Sequence, residues 1–247
     1  MFGLTRSMAT FLPILPTCLD SNILTSGVIP SEIGMLQSLN ELYMTRNLLT
    51  GHIPHSIGNL TNLTMLYLHT NDLTGMIPNS FGALKNLKYL HLWANELTGH
   101  IPPEIGTAVS LKIEQFDLSS NNLVGAIPSS IGNLTNLIYL YLYDNKLSGS
   151  IPPELAGARD LVDLQISKNL ITGTIPNTFR NFSWLGRMYL SVNLISRSIP
   201  DYFVNYTHLT ELHLADNNFS GYIPPELCKR TPLVKLNLFM NNLIGSY

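Results

Sequence analysis

Cysteine is nearly absent from this 247-residue chain, which has only Cys18 and Cys228. That excludes a disulfide-rich scaffold and a four-thiolate zinc site. Charge is scarce too, at 12% of residues, and the 14 Lys and Arg nearly balance the 16 Asp and Glu, for a net charge of −2. No basic run tracks a phosphate backbone, so nucleic acid is not an expected partner. Long apolar runs are also missing. The longest, around Phe11 to Leu15, is broken by Pro13 and stopped by Pro16. It is far short of the ~18 residues that cross a bilayer, so no membrane-spanning segment is expected. Apolar residues are nevertheless abundant, at 45%, which supports a continuous core and excludes general disorder.

Nine of the 15 prolines follow isoleucine, at Pro30, Pro54, Pro78, Pro102, Pro128, Pro152, Pro176, Pro200 and Pro224. The steps between them are 24, 24, 24, 26, 24, 24, 24 and 24 residues, a period that signals a solenoid rather than a compact domain. Seven residues before each of these prolines except the first stands an asparagine: Asn47, Asn71, Asn95, Asn121, Asn145, Asn169, Asn193 and Asn217. Asn241 continues the series and Asn22 is a displaced first member. Within a unit, Leu66 and Leu68 before Asn71 have strand spacing, while Leu60, Leu63 and Leu66 have the spacing of a tight 3₁₀-like turn. Each unit therefore reads as a strand, a sharp turn and a returning limb. The asparagine falls where turn amides and carbonyls become buried, and its recurrence predicts a hydrogen-bonded ladder. Four residues later comes a glycine, as at Gly51 and Gly75, suited to a bend closed to other residues. Arg197 breaks the glycine series, which predicts a different turn there. The repeat of Asn121 has two extra residues, which predict a bulge over Lys112 to Gln115.

The segment Leu49 to Leu60, LTGHIPHSIGNL, recurs at Leu73 to Leu84 with Phe81 replacing the second isoleucine, and resembles the plant-specific leucine-rich repeat. The resemblance covers roughly residues 22–247 in about nine units. It implies an α/β fold, a right-handed superhelix with a concave parallel β-sheet and 3₁₀ or short-helical convex limbs. It further implies the ligand-recognition ectodomain of a plant receptor-like serine/threonine kinase, signalling in defence or development from the extracellular side of the plasma membrane. In that family a peptide or protein ligand bridges the receptor to a leucine-rich-repeat co-receptor kinase. Two alternatives stay open: a secreted, cell-wall inhibitor of a microbial hydrolase, similar to polygalacturonase-inhibiting proteins, and a structural fragment without a ligand. Residues 1–20 read as an irregular segment, either a poor secretory signal or a truncated start, and residues 21–247 as the solenoid. The paired-cysteine cap usual in the family is not found, and the chain ends inside a unit, which predicts an uncovered edge at Leu236 and Leu238. Cys18 and Cys228 lie about eight strand spacings apart, too far for a bridge. Cys228 is expected to be a small buried hydrophobe.

Strand alternation points the residues six, four and two before each asparagine out of the concave sheet. Tyr139, Tyr141 and Tyr143 leave one strand on that side, and Tyr67, Tyr89, His91 and Trp93 form a second cluster two repeats earlier. Tyr and Trp supply rigid contact area with a polar handle, so these seven are the expected ligand-binding residues. The rungs make a groove about 40 Å long, suited to an extended peptide of roughly a dozen residues, with a glycan also possible. Arg187 and Lys235 are isolated cations, expected to be solvated. His69 and His91 lie in different rows without a third ligand, and no histidine is placed to activate Ser119 beside Asp117. No catalytic or metal site, cofactor or kinase motif is therefore expected in this chain. Glycosylation sequons occur at Asn59, Asn62, Asn133, Asn181, Asn205 and Asn218, and the first five, twelve or nine residues before a ladder asparagine, are expected away from the concave strands.

Overall fold

The structure, a computed structural model, describes residues 18–19, 26–107 and 112–245. Ten short strands form one parallel sheet in chain order. They are β1 (Cys18–Leu19), β2 (Glu41–Tyr43), β3 (Met65–Tyr67), β4 (Tyr89–His91), β5 (Gln115–Asp117), β6 (Tyr139–Tyr141), β7 (Asp163–Gln165), β8 (Arg187–Tyr189), β9 (Glu211–His213) and β10 (Lys235–Asn237). Each strand pairs in register with the next, so Tyr67 lies beside His91 and Tyr141 beside Gln165. β1 falls within the segment that the sequence assigned to an irregular start. The opposite limb of most repeats is a five-residue 3₁₀ turn such as His55–Asn59, replaced by a short α-helix at Glu104–Thr107 and Leu227–Arg230. The Ile-Pro proline stands before each 3₁₀ turn in extended conformation, as its fixed φ favours. Between the limbs runs one continuous spine, in which Leu60, Leu63, Leu66 and Leu68 are fully buried.

The asparagine ladder is present on every described rung from Asn71 to Asn241. Asn71 Oδ1 accepts from Leu49 N at 3.1 Å, and its Nδ2 donates to Met44 O at 2.8 Å and Leu68 O at 3.0 Å. Asn193 repeats this with Ile171 N, Ile166 O and Leu190 O, each at 3.0 Å. One side chain thus satisfies backbone groups of two neighbouring repeats. An alanine there strands three of them, each costing about 1–3 kcal/mol if buried without a partner.

Several expectations need correction. Arg197 takes φ 75°, inside the 72–79° range of the glycines from Gly51 to Gly221 at the same place, so its turn does not differ. The rung geometry dictates the bend whichever residue occupies it. The lateral strand is shorter there, Ser196–Arg197, but stays bonded to the preceding repeat, with Leu194 N donating to Ile171 O and Ser196 N to Gly173 O, each at 2.8 Å. The bulge over Lys112 to Gln115 is absent, because Ile113 fills the place of Leu87 in the spine and Gln115 pairs in register with Tyr89. The two extra residues fall between Gly106 and Ile113. Leu236 and Leu238 are partly exposed whereas Leu212 and Leu214 are fully buried, as expected for the last described strand. Asn22 and the side chain of Cys228 lie outside the described residues. Cys18 stands in β1 and Cys228 in the convex helix Leu227–Arg230 that precedes β10, at opposite ends of the described repeats.

A non-glycine residue held at positive φ costs about 1–3 kcal/mol. Arg197→Gly relieves that strain, partly offset by the greater freedom of glycine in the unfolded chain. We expect the variant to gain about 1 kcal/mol and to melt about 2–4 °C higher, measured by circular dichroism. An unchanged or lower melting temperature means that the arginine side chain offsets the strain.

Candidate functional site

The in-register rungs bring rings of neighbouring repeats face to face on the concave sheet. Tyr67 stacks on His91 with centroids 4.4 Å apart and planes within 11°, and Tyr43 meets Tyr67 edge-on at 5.0 Å. In the adjacent row His69 stacks on Trp93 at 4.2 Å and 10°. His69 therefore belongs to the cluster, although along the chain nothing but its row marks it. Tyr89 does not join the stack; its hydroxyl donates to Glu114 Oε2 at 3.0 Å, and Lys88 pairs with Glu114 at 3.1 Å. On β6, Tyr139 and Tyr141 are tilted neighbours at 6.1 Å. β5 separates the two clusters with Asp117 and a fully buried Ser119, whose hydroxyl donates to Asp117 Oδ1 at 2.6 Å.

Tyr141 is engaged differently from the other rings. Its hydroxyl donates to Asp163 Oδ2 at 2.9 Å, Gln165 Nε2 donates to the same carboxylate at 3.2 Å, and Arg187 Nη2 pairs with it at 2.8 Å. Asp163 is fully buried, so these donors compensate a charge removed from water. Arg187 is thus an ion-pair partner rather than a solvated cation. Lys235 is paired as well, to Glu211 at 3.1 Å, and the Tyr189 hydroxyl donates to the same carboxylate. Tyr189 in turn stacks on His213 at 4.3 Å. Opposite charges one repeat apart at equal offset, Asp163 with Arg187 and Glu211 with Lys235, were the sequence signal for these pairs.

Burial sets the protonation of the face. It lowers His69 to about 4, helped by repulsion from His91 and Arg46. His91 is lowered by burial too, partly offset by its contact with Gln115. The carboxyls of Asp117 and Asp163 are raised, chiefly by burial. Tyr189 is pushed up to about 12, by burial first and then by its bond to Glu211.

The sequons stand elsewhere. Asn59, Asn133, Asn181 and Asn205 each end a convex 3₁₀ turn, Asn62 follows one, and Asn218 opens a lateral strand; all six are exposed. Among the described residues no group of His, Cys, Asp or Glu is placed to hold a metal ion. No described helix is long and apolar enough to cross a membrane.

The leucine rich repeat family pattern matches residues 37–97, 112–171 and 159–219. The chain belongs to the leucine-rich repeat family. Among curated proteins none matches the sequence. Among solved structures, this leucine-rich-repeat chain is similar to the plant peptide hormone receptor RGFR1, solved in complex with RGF2, with 38% identity and a TM-score of 0.87 over 90% of its length. The Arabidopsis receptor kinase HAESA, solved with the peptide hormone IDA and the co-receptor SERK1, shares 36% identity with a TM-score of 0.85 over 89%. A plant ice-binding protein shares 31% identity with a TM-score of 0.77 over 89% of this chain and 70% of its own. The chain spans about a third of the length of the two receptors, 35% and 36%. The likeness is to receptor ectodomains, not to kinase domains.

His69 carries a pH signature. Its folded value near 4 lies below the ordinary 6.5, so between these values the unfolded chain binds more protons. The contribution is complete above about pH 6.5 and is lost as pH falls towards 4. We expect His69→Gln to lose less stability than the parent chain between about pH 7 and pH 4.5 in parallel urea melts. Equal losses would show that His69 titrates normally.

Proposed function

We propose that this chain is part of the ectodomain of a plant receptor-like kinase and recognises an extended peptide along its concave face. The observation that carries the reading is the set of half-buried, stacked rings on an otherwise polar concave sheet. The two receptor relatives, solved with peptide hormones, support it. Tyr67, Tyr89, His91, Trp93, Tyr139 and Tyr143 supply contact area, and Tyr141 holds the face in shape through Asp163. HAESA was solved with a co-receptor, and we extend that arrangement to this chain: bound peptide completes a surface for a second, shorter repeat protein. Such a receptor works on the outer side of the plasma membrane. Glycans on the six exposed asparagines leave the concave strands clear. The hydrolase-inhibitor alternative finds no support in the relatives named above.

The test is selection of binders from a random dodecapeptide library on the folded chain. Trp93→Ala and Tyr143→Ala are each expected to weaken the selected peptides by about 2 kcal/mol, roughly 30-fold, with melting little changed. Trp184→Ala, at an exposed position off the sheet, is expected to leave binding intact. Peptides that bind equally well to both concave variants would remove the groove as the binding site.

A further inference from the structure

On the convex side, the second-last residue of each turn forms one column, which holds Gly34, Gly58, Gly82, Gly106 and Gly132 in the first half of the chain. A Cβ added at Gly58 meets Ser80 O of the next rung at 2.6 Å, and one added at Gly82 meets Glu104 O at 2.7 Å. Glycine there lets neighbouring turns touch. In the second half the column reads Ala156, Arg180 and Val204, whose side chains keep the turns Asn177–Asn181 and Asp201–Asn205 apart. The hydroxyl that ties one turn to the last is longer to match. Ser80 Oγ donates to His55 O at 2.7 Å, whereas its counterpart Tyr202 spans the wider gap and donates to Pro176 O at 2.7 Å. Arg180 Nε donates to Asn177 O at 3.1 Å, and its guanidinium lies over the Tyr202 ring, 5.7 Å from the centroid.

The parted turns leave an open cleft of about 620 Å³, with Arg180 on one side, Pro224, Pro225 and Glu226 on the other, and Asp201 and Val204 between. Asn205 lines the same cleft from the middle rung and is exposed. It opens the sequon Asn205-Tyr206-Thr207, and Tyr206 is buried, its hydroxyl donating to Phe179 O, which anchors the turn that carries the asparagine. Charged planar side chains beside flat proline and valine surface match a sugar ring, which has hydroxyls around its edge and C–H groups on its faces. So open a cleft buries little of a free sugar. A sugar tethered at its mouth is held there by effective concentration instead.

We propose that the first sugars of an N-linked glycan on Asn205 lie in this cleft, between Arg180 and Glu226. The proposal rests on the extracellular reading given above and names the glycan that is fixed to the fold rather than free in solvent. In attachment the anomeric carbon leaves a lipid-linked diphosphate and bonds to the Asn205 amide nitrogen, which gives up one proton and keeps the other as a donor. At Asn59, the neighbouring Gly58 lets the next turn close, so a glycan there projects into water.

The test is site-resolved deglycosylation of the folded chain, secreted behind an added signal peptide from kifunensine-treated human cells so that all glycans are of one high-mannose type. Endoglycosidase H cuts between the first two sugars, and glycopeptide mass spectrometry follows each site. Release from Asn205 is expected to be about tenfold slower than from Asn59 in the native chain, and equal to it after denaturation. Arg180→Ala combined with Asp201→Ala removes one wall and is expected to bring Asn205 to the Asn59 rate. Equal native rates at the two sites, slow release that survives the double substitution, or an Asn205 without a glycan overturns the proposal. So does binding of free N,N′-diacetylchitobiose to Asn205→Gln more tightly than about 1 mM, which makes the cleft a site for carbohydrate from outside. The added signal peptide frees these results from where the chain naturally works, and the dodecapeptide selection reads the concave face, so failure of the cleft and failure of the receptor reading are distinguishable.

Discussion

The buried asparagine amide at the end of each strand is the interaction on which the rest depends. A strand that turns sharply out of a parallel sheet leaves amides and carbonyls facing the core, away from water. A side chain that both donates and accepts satisfies them, and because it reaches into the preceding repeat it also fixes the spacing and register of neighbours. Once register is fixed, every side chain on the concave face lies beside its counterpart one repeat away. The ring stacks, the Asp163 to Arg187 pair and the Glu211 to Lys235 pair follow from that alignment. In a sheet of this kind contacts are made almost entirely between adjacent rungs.

The repeat was fully legible in the sequence, since Ile-Pro, asparagine and leucine positions recur at one period and each has a single physical use. The concave rows were legible for the same reason. What escaped was decided by geometry that no residue type announces. The residue before each ladder asparagine, from Arg46 to Met240, sits at φ 49–59°, yet none of these is glycine, so nothing marked the turn. Arg197 is the opposite case, a residue other than glycine that holds the glycine conformation. At the insertion Ile113 takes the place of Leu87 in the spine and β5 keeps its register with β4, which no spacing along the chain announces.

Of the seven rings marked from the sequence, all stand on the concave side, but their engagements differ. Tyr67, His91, Trp93 and Tyr139 are held by other rings, Tyr89 and Tyr141 by carboxylates, and Tyr143 by neither. Alternation told which side chains face the groove; it could not tell which were committed to holding the sheet. That distinction came from the charges, whose partners lie one repeat away and are invisible to a search along the chain. A ring whose polar end is already bonded contributes surface, and a ring left unpartnered keeps its full bonding capacity for something that arrives from solution.

The concave sheet runs unbroken through ten strands, and the lateral edge stays tied even where its regular strands are interrupted: Val124 N donates to Gly99 O at 2.9 Å and Ser196 N to Gly173 O at 2.8 Å. Each repeat is thus stitched to its neighbour along two separate lines, and two parallel seams resist shear and twist in a way that a single seam does not.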